Sequence, residues 1–344
     1  MTSVLAPVYE LTLGSQVWKE QALEIRVALV AAPLVDAVTV RLPAAAPLSA
    51  APGDPASLTL DSGEQKATVF TGTVDSIRRG FDEIRITALD AGGALARYRP
   101  SATYEQVTAA TVIRNLAGDA GLSTGALDDG VELAFYVADP SRTAWEHVAR
   151  LAAWGGAMAS VSSDNEVRSA VIDATQAEAA LRYGREILSI QGDHTAAPVD
   201  AWVVAGEGGA GAASAPEALR PSTDFFAGHR PDGPALAKRW RFEPALRTAR
   251  AAGSAGAAIQ RQYTASRQAG RLRAILQPKL RCGSVIEIQD LPDGLPAGPV
   301  WIARVDHVVG ENGALTSVRF FKGGDSFDPL ALLGSLAGTV GGLL

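Results

Sequence analysis

Apolar and polar side chains alternate with a period of two in Tyr9-Glu10-Leu11-Thr12-Leu13, over residues 23–29, and in Val38-Thr39-Val40-Arg41-Leu42. That period puts every second side chain on one face of an extended chain, so each segment predicts a strand with one buried and one solvated face. Further strands are expected at 57–60, 67–77 and 83–89, set apart by the turn-forming runs Asp61-Ser62-Gly63 and Arg79-Gly80-Phe81-Asp82. Five or six short antiparallel strands must close or stack to bury their apolar faces, which predicts a barrel or sandwich over residues 1–100.

The pattern changes near Ser101. Thr108 is placed to cap a helix whose apolar residues Val112, Ile113, Leu116, Ala117 and Ala120 recur at helical spacing before Gly121. After a strand at 131–137, a second helix carries Trp145, Val148, Leu151 and Ala152 and stops at Gly155-Gly156, with Asp139 or Ser141 as its expected cap and Pro140 in its first turn. A hairpin, 158–161 and 167–171, turns at Ser163-Asp164-Asn165-Glu166, and a short helix is expected over 173–183. Residues 101–183 thus predict an α+β insert. Strands at 187–191, 201–205, 235–243, 285–289, 300–309 and 315–321, with a helix over 254–268, fill a second β-rich region, 184–323, interrupted by a Gly/Ala/Ser-rich loop at 206–233. One internal echo links the two ends: Val74-Asp75-Ser76-Ile77 with Ile84-Arg85-Ile86 is matched by Val305-Asp306-His307-Val308 with Val318-Arg319-Phe320. Chance similarity between hairpins competes with duplication as its explanation.

Chemistry is hard to find. The 31 basic and 37 acidic residues leave a net charge of −6, so no global field draws in nucleic acid. The single cysteine, Cys282, excludes a disulfide framework or a multi-cysteine zinc site and reads as a small buried hydrophobe. His147, His194, His229 and His307 lack metal-ligand spacing, and adjacent Glu146 and His147 read as a polar helix face. The run from Gly206 to Gly211 matches G-x-G-x-x-G, yet Pro216 and Pro221 interrupt the helix a dinucleotide site needs. Lys238-Arg239-Trp240-Arg241 reads as a barrel strand with a snorkelling lysine. No catalytic, cofactor-binding or metal site is expected. No apolar run reaches the length of about 18 residues that spans a bilayer, and residues 1–7 lack an export signal.

Several of these segments together resemble the late control D family of phage tail proteins. They are Val69-Phe70-Thr71-Gly72-Thr73-Val74, Ile84-Arg85-Ile86-Thr87-Ala88-Leu89-Asp90, the helix end Leu116-Ala117-Gly118-Asp119-Ala120-Gly121-Leu122, the helix from Ala144 to Ala152, and the closing region entered at Pro278 and Gly283. The resemblance implies a mainly β fold in which two tube-like antiparallel β-barrels flank the small α+β domain. It also implies a non-enzymatic baseplate hub of a contractile tail or tail-like injection system, assembled in the bacterial cytoplasm. Such a hub is a homotrimer joining a hexameric tail tube protein to a separate spike protein among baseplate wedge proteins. A tail-associated cell-wall or polysaccharide hydrolase is the competing expectation. In the apolar tail at 324–344, Leu330, Leu333, Leu336, Val340 and Leu343 are the expected partner-binding residues.

Overall fold

The computed structural model describes residues 8–171, 177–194, 201–206, 238–292, 295, 297–311 and 313–322. The N-terminal alternation becomes seven strands: β1 (Val8–Leu13), β2 (Gln16–Trp18), β3 (Glu24–Val30), β4 (Ala37–Pro43), β5 (Pro55–Asp61), β6 (Lys66–Arg79) and β7 (Glu83–Leu89). They pair antiparallel in the order β3-β4-β7-β6-β5-β1-β2. Next come α1 (Ala91–Arg97), β8 (Ala102–Thr108), α2 (Ala109–Asp119), β9 (Thr124–Leu127), β10 (Glu132–Ala138), α3 (Ala144–Gly155), β11 (Ala157–Val161) and β12 (Val167–Val171). The remainder holds β13 (Ala179–Arg182), β14 (Ile187–His194), β15 (Ala201–Ala205), β16 (Lys238–Phe242), α4 (Ala249–Ser266), β17 (Gln268–Ile275), β18 (Val285–Gln289), β19 (Gly298–Gly310) and β20 (Gly313–Lys322). The fold is mainly β, with antiparallel barrel strands on both sides of an α+β insert.

The two strand sets share one topology. Taken in chain order, β3, β4, β5, β6 and β7 pair first to second, second to fifth, fifth to fourth, and fourth to third; so do β14, β17, β18, β19 and β20. Both fourth strands carry one extra residue against the fifth, Asp75 beyond the pair Val74↔Ala88 and Ala303 beyond Ile302↔Phe320. Each bulge is pinned from the other side by a left-handed glycine. Gly53 (φ 96°) donates to the Val74 carbonyl at 2.8 Å, and Gly283 (φ 92°) to that of Ile302 at 2.8 Å. A left-handed turn at the same point of both barrels explains the need for glycine at both. The sequence echo therefore lies on corresponding strands but out of register. Bulge-to-bulge alignment sets Ile77 against Val305 and Ile86 against Val318, because alternation marks a face and not a position along it.

The sets merge through β19. Its first residues pair with β18, and Arg304–Gly310 continue along the same edge to pair antiparallel with β3. One sheet and one core result, with Leu11, Leu58 and Ile86 in the same apolar cluster as Leu272, Ile302 and Phe320. A second core lies under α2 and α3 around Tyr136, Trp145 and Trp154. Within 184–323 the strands β14 and β17–β20 join the barrel sheet. By contrast, β15 pairs in parallel with β16, and Val204, Ala252 and Ile259 enter the second core.

Two local expectations need correction, and one helix was not expected. Helix α3 starts after Thr143, which forms a capping box with Glu146, so Asp139, Pro140 and Ser141 stay outside it; reciprocal bonds at Thr143 satisfy two free N–H groups that a cap further back would leave open. Residues 179–182 form a strand paired in parallel with β18, a tertiary pairing that overrides the helix-favouring Ala/Glu composition of 173–183; residues 172–176 lie outside the described set. Helix α1, with glycines at 92 and 93, had no signal in the apolar period.

The two cores are clasped where β3 turns into β4. Asp36 accepts the Val30 N–H at 2.6 Å, Asp90 caps α1 through the Gly92 N–H at 2.9 Å, and the Trp145 indole donates to the Leu34 carbonyl at 2.7 Å. Both carboxyls are buried. Burial pushes Asp36 up to about 7; burial, with the neighbouring Asp36 charge, pushes Asp90 up to about 8. Folded values above the unfolded value of about 4 mean that the stabilisation is complete below that pH and disappears as pH rises through 7 to 8. The wild-type melting temperature is therefore expected to fall over that window. Asp36→Asn, which keeps an oxygen for the Val30 N–H, should flatten the decline; parallel profiles in a pH series of thermal melts would contradict this.

Candidate assembly surface

Alternation sends every second residue of the sheet β14-β17-β20-β19-β3-β4-β7-β6 away from the core, and strand register decides which of them become neighbours. In the second barrel one outward row reads Gln191, Arg271, Arg319, Arg304 and the next Ser189, Arg273, Ser317, Asp306. In the first barrel the rows are Glu24, Arg41, Arg85, Arg78 and Arg26, Thr39, Thr87, Ser76. Each barrel thus sets three guanidinium groups side by side on adjacent strands.

The barrels differ in how they neutralise this charge. In the first, Glu83 meets Arg41 at 2.6 Å and Arg85 at 2.8 Å, while Glu24 meets Arg26 and, at 3.4 Å, Arg41. These arginines hold both carboxyls below their ordinary range. In the second, Asp306 takes Arg304 through two bonds of 2.7 Å, and Arg271, Arg273 and Arg319 have no ion pair among the described residues. A cationic face therefore stands on a chain whose net charge is −6.

Two stretches of sheet edge are open among the described residues. Beyond a bridge from Ile187 to Tyr183 at its start, strand β14 pairs with β17 alone, and β6 pairs with β5 only up to Thr73, leaving Asp75–Arg79 with β7 on a single side. Unpaired strand edges offer rows of backbone donors and acceptors to another strand.

The residues singled out from sequence do not converge. His147, expected on a polar helix face, is buried: its Nδ1 lies 2.6 Å from the Tyr136 hydroxyl and its Nε2 3.0 Å from the Asp139 carbonyl, while Glu146 serves the helix cap. Burial lowers its pKa. His307 sits in the other core, 2.9 Å from the Thr316 hydroxyl, and burial pushes it down to about 3. His194 ends β14; His229 lies outside the described residues, which hold no cluster of three metal-ligating side chains. The Cys282 thiol donates to the Ala303 carbonyl at 3.0 Å, and burial raises its pKa. Strand β16, expected in a barrel, instead pairs with β15, where Arg239 lies 5.3 Å over the Trp202 ring. Gly206 is required because a Cβ there would fall 1.7 Å from the Leu246 carbonyl oxygen; residues 207–233 lie outside the described set, as do Leu330, Leu333, Leu336, Val340 and Leu343. No described helix is long and apolar enough to cross a membrane. The arginine rows escaped sequence reading because Arg41, Arg78 and Arg85 become neighbours only through register.

No family model matches the sequence, and no curated protein matches it. Solved structures do match the fold. The 43 kDa tail protein of prophage MuSo2 from Shewanella oneidensis is similar with a TM-score of 0.65 at 15% identity, over 92% of this chain and 98% of that one. The tail protein from Neisseria meningitidis MC58 gives a TM-score of 0.70 at 12% identity, over 92% and 96%. The E. coli c3393 protein, a type VI secretion component described as similar to the bacteriophage T4 tail proteins gp27 and gp5, gives 0.60 at 10% identity, over 94% and 76%. The chain has the fold of phage tail and type VI secretion proteins.

Like charges directly opposite on neighbouring strands destabilise a sheet by roughly 0.2–1 kcal/mol. Arg319, in the middle of the row Arg271-Arg319-Arg304, carries that cost twice. Arg319→Thr is expected to raise stability against urea by about 0.5–1 kcal/mol at low salt, and the gain should shrink in high salt as the charges are screened. A loss of stability at low salt would contradict the reading.

Proposed function

We propose that this protein is a structural hub of a contractile tail or tail-like injection system, a homotrimer that joins a hexameric tail tube to a central spike. The observation that carries the reading is the duplication, two barrels of one topology built from a single chain with matching bulges and matching Gly53 and Gly283 turns. Three such chains present six similar barrels, which reconciles a threefold spike with a sixfold tube. The likeness in fold to tail proteins and to a type VI secretion component supports the same reading.

The role asks for no chemistry. An assembly protein acts by holding surfaces, and the energy comes from burying strand edges and apolar area between subunits. The tail at 324–344, with Leu330, Leu333, Leu336, Val340 and Leu343, is proposed as the segment that docks against a trimer mate or the spike. Tube, spike and baseplate wedge proteins are the proposed partners, and assembly is proposed to take place in the bacterial cytoplasm before the particle is complete.

Mass photometry of the purified chain is expected to show a species of three chains, and removal of residues 324–344 to weaken either that species or spike capture. A stable monomer that degrades cell-wall polysaccharide would overturn the proposal in favour of a tail-associated hydrolase.

A further inference from the structure

The joint between β19 and β3 is a worked example of how one barrel binds another, and the duplication says where its counterpart must lie. The distal half of the fourth strand of the second barrel, Arg304–Gly310, takes the first strand of the first barrel, β3. The first barrel has an equivalent distal half, Asp75–Arg79 of β6, and the second barrel an equivalent first strand, β14. Both of these stretches are open edges among the described residues. Within one chain the pairing is made once; its mate on each side is left over.

We infer that β14 of one copy pairs antiparallel with the distal half of β6 in a second copy, repeating between chains the β19–β3 joint found within one. The inference deepens the hub reading and rests on it for the closure of the ring. The register follows residue by residue. Bulge alignment makes Ser76 and Arg78 the counterparts of Arg304 and Asp306, and the ladders make Gln191 and Asp193 the counterparts of Arg26 and Ala28. Since Asp306 lies opposite Ala28 in the internal joint, Arg78 comes to lie opposite Asp193, and Arg79 opposite Gly192.

Charge agrees with this register. Arg78 and Asp193 are both exposed, carry opposite charges, and have no ion pair among the described residues. Opposite charges facing each other across an antiparallel pair stabilise it, and like charges oppose it. The contact is head to tail, so it leaves an open β6 edge and an open β14 edge at the two ends of any unfinished string and is satisfied throughout only in a closed ring. Ring closure would also carry the arginine rows of both barrels around one continuous sheet face.

Paired cysteines read the register directly, because directly opposed strand residues lie within disulfide range. The full-length Arg78→Cys/Asp193→Cys protein is expected to convert from monomer to covalent oligomers on a non-reducing gel after mild oxidation. The off-register Arg78→Cys/Gln191→Cys protein should do so about tenfold less, with the parent chain, whose single thiol at Cys282 is half-buried, as background. In a second arm, Arg78→Asp is expected to weaken association about tenfold, and adding Asp193→Arg to restore it; circular dichroism confirms that each variant folds. An oligomer that forms normally yet shows neither in-register cross-linking nor charge-swap rescue overturns the inference and spares the hub reading. A chain that stays monomeric at every concentration and never cross-links overturns both.

Discussion

The pairing of Arg304–Gly310 with Glu24–Val30 is the constraint on which the remaining architecture depends. It turns two barrels into one sheet and one apolar core, and it fixes their relative orientation through backbone hydrogen bonds instead of a linker. The side chains beneath it agree. His307 bonds the Thr316 hydroxyl, which in turn accepts the Gln277 N–H at 2.8 Å, and Arg281 of the second barrel donates to the Val69 carbonyl of the first at 3.0 Å. Sliding β19 along β3 would break the backbone ladder between Arg304–Gly310 and Glu24–Val30, while His307 keeps one buried ring nitrogen, Nε2, without a hydrogen-bond partner among the described residues.

The α+β insert is held to this double barrel at a different kind of seam. Asp36 and the Trp145 indole satisfy backbone groups around the β3–β4 turn, Asp90 caps α1 through the Gly92 N–H, and Asn165 of the β11–β12 turn accepts the Ala91 N–H at 2.7 Å. These polar bonds are joined by apolar contact, since Ala32 and Val35 of the same turn pack against the second core. This geometry sets the insert's position while leaving the outward sheet face uncovered, which is why the arginine rows remain exposed.

Much of the fold was legible in sequence because it is local. Period-two alternation marked β1, β3, β4 and β7, Thr108 marked the start of α2, and Gly155-Gly156 marked the end of α3. What failed was either overruled from a distance or lacked a period. Residues 179–182 take their form from β18, about a hundred positions away, and His147 gains its burial from Tyr136, which lies on a strand and not on the same helix. The candidate surface was the least legible part. Nothing in the spacing of Arg41, Arg78 and Arg85, or of Arg271, Arg304 and Arg319, announces a row; bulges at Asp75 and Ala303 set the register that makes one. The internal echo pointed to the right hairpins while missing their alignment for the same reason.

The joint also dictates an order of events during synthesis. Strand β3 is synthesised well before the segment that covers its edge, Arg304–Gly310. Until that segment is made, the first barrel therefore has an uncapped, apolar-backed edge, with the loop-closure entropy of the long intervening chain separating it from its partner. Such an edge can be filled by the corresponding strand of a neighbouring nascent chain, so the same duplication that builds two barrels from one topology also supplies the wrong partner first.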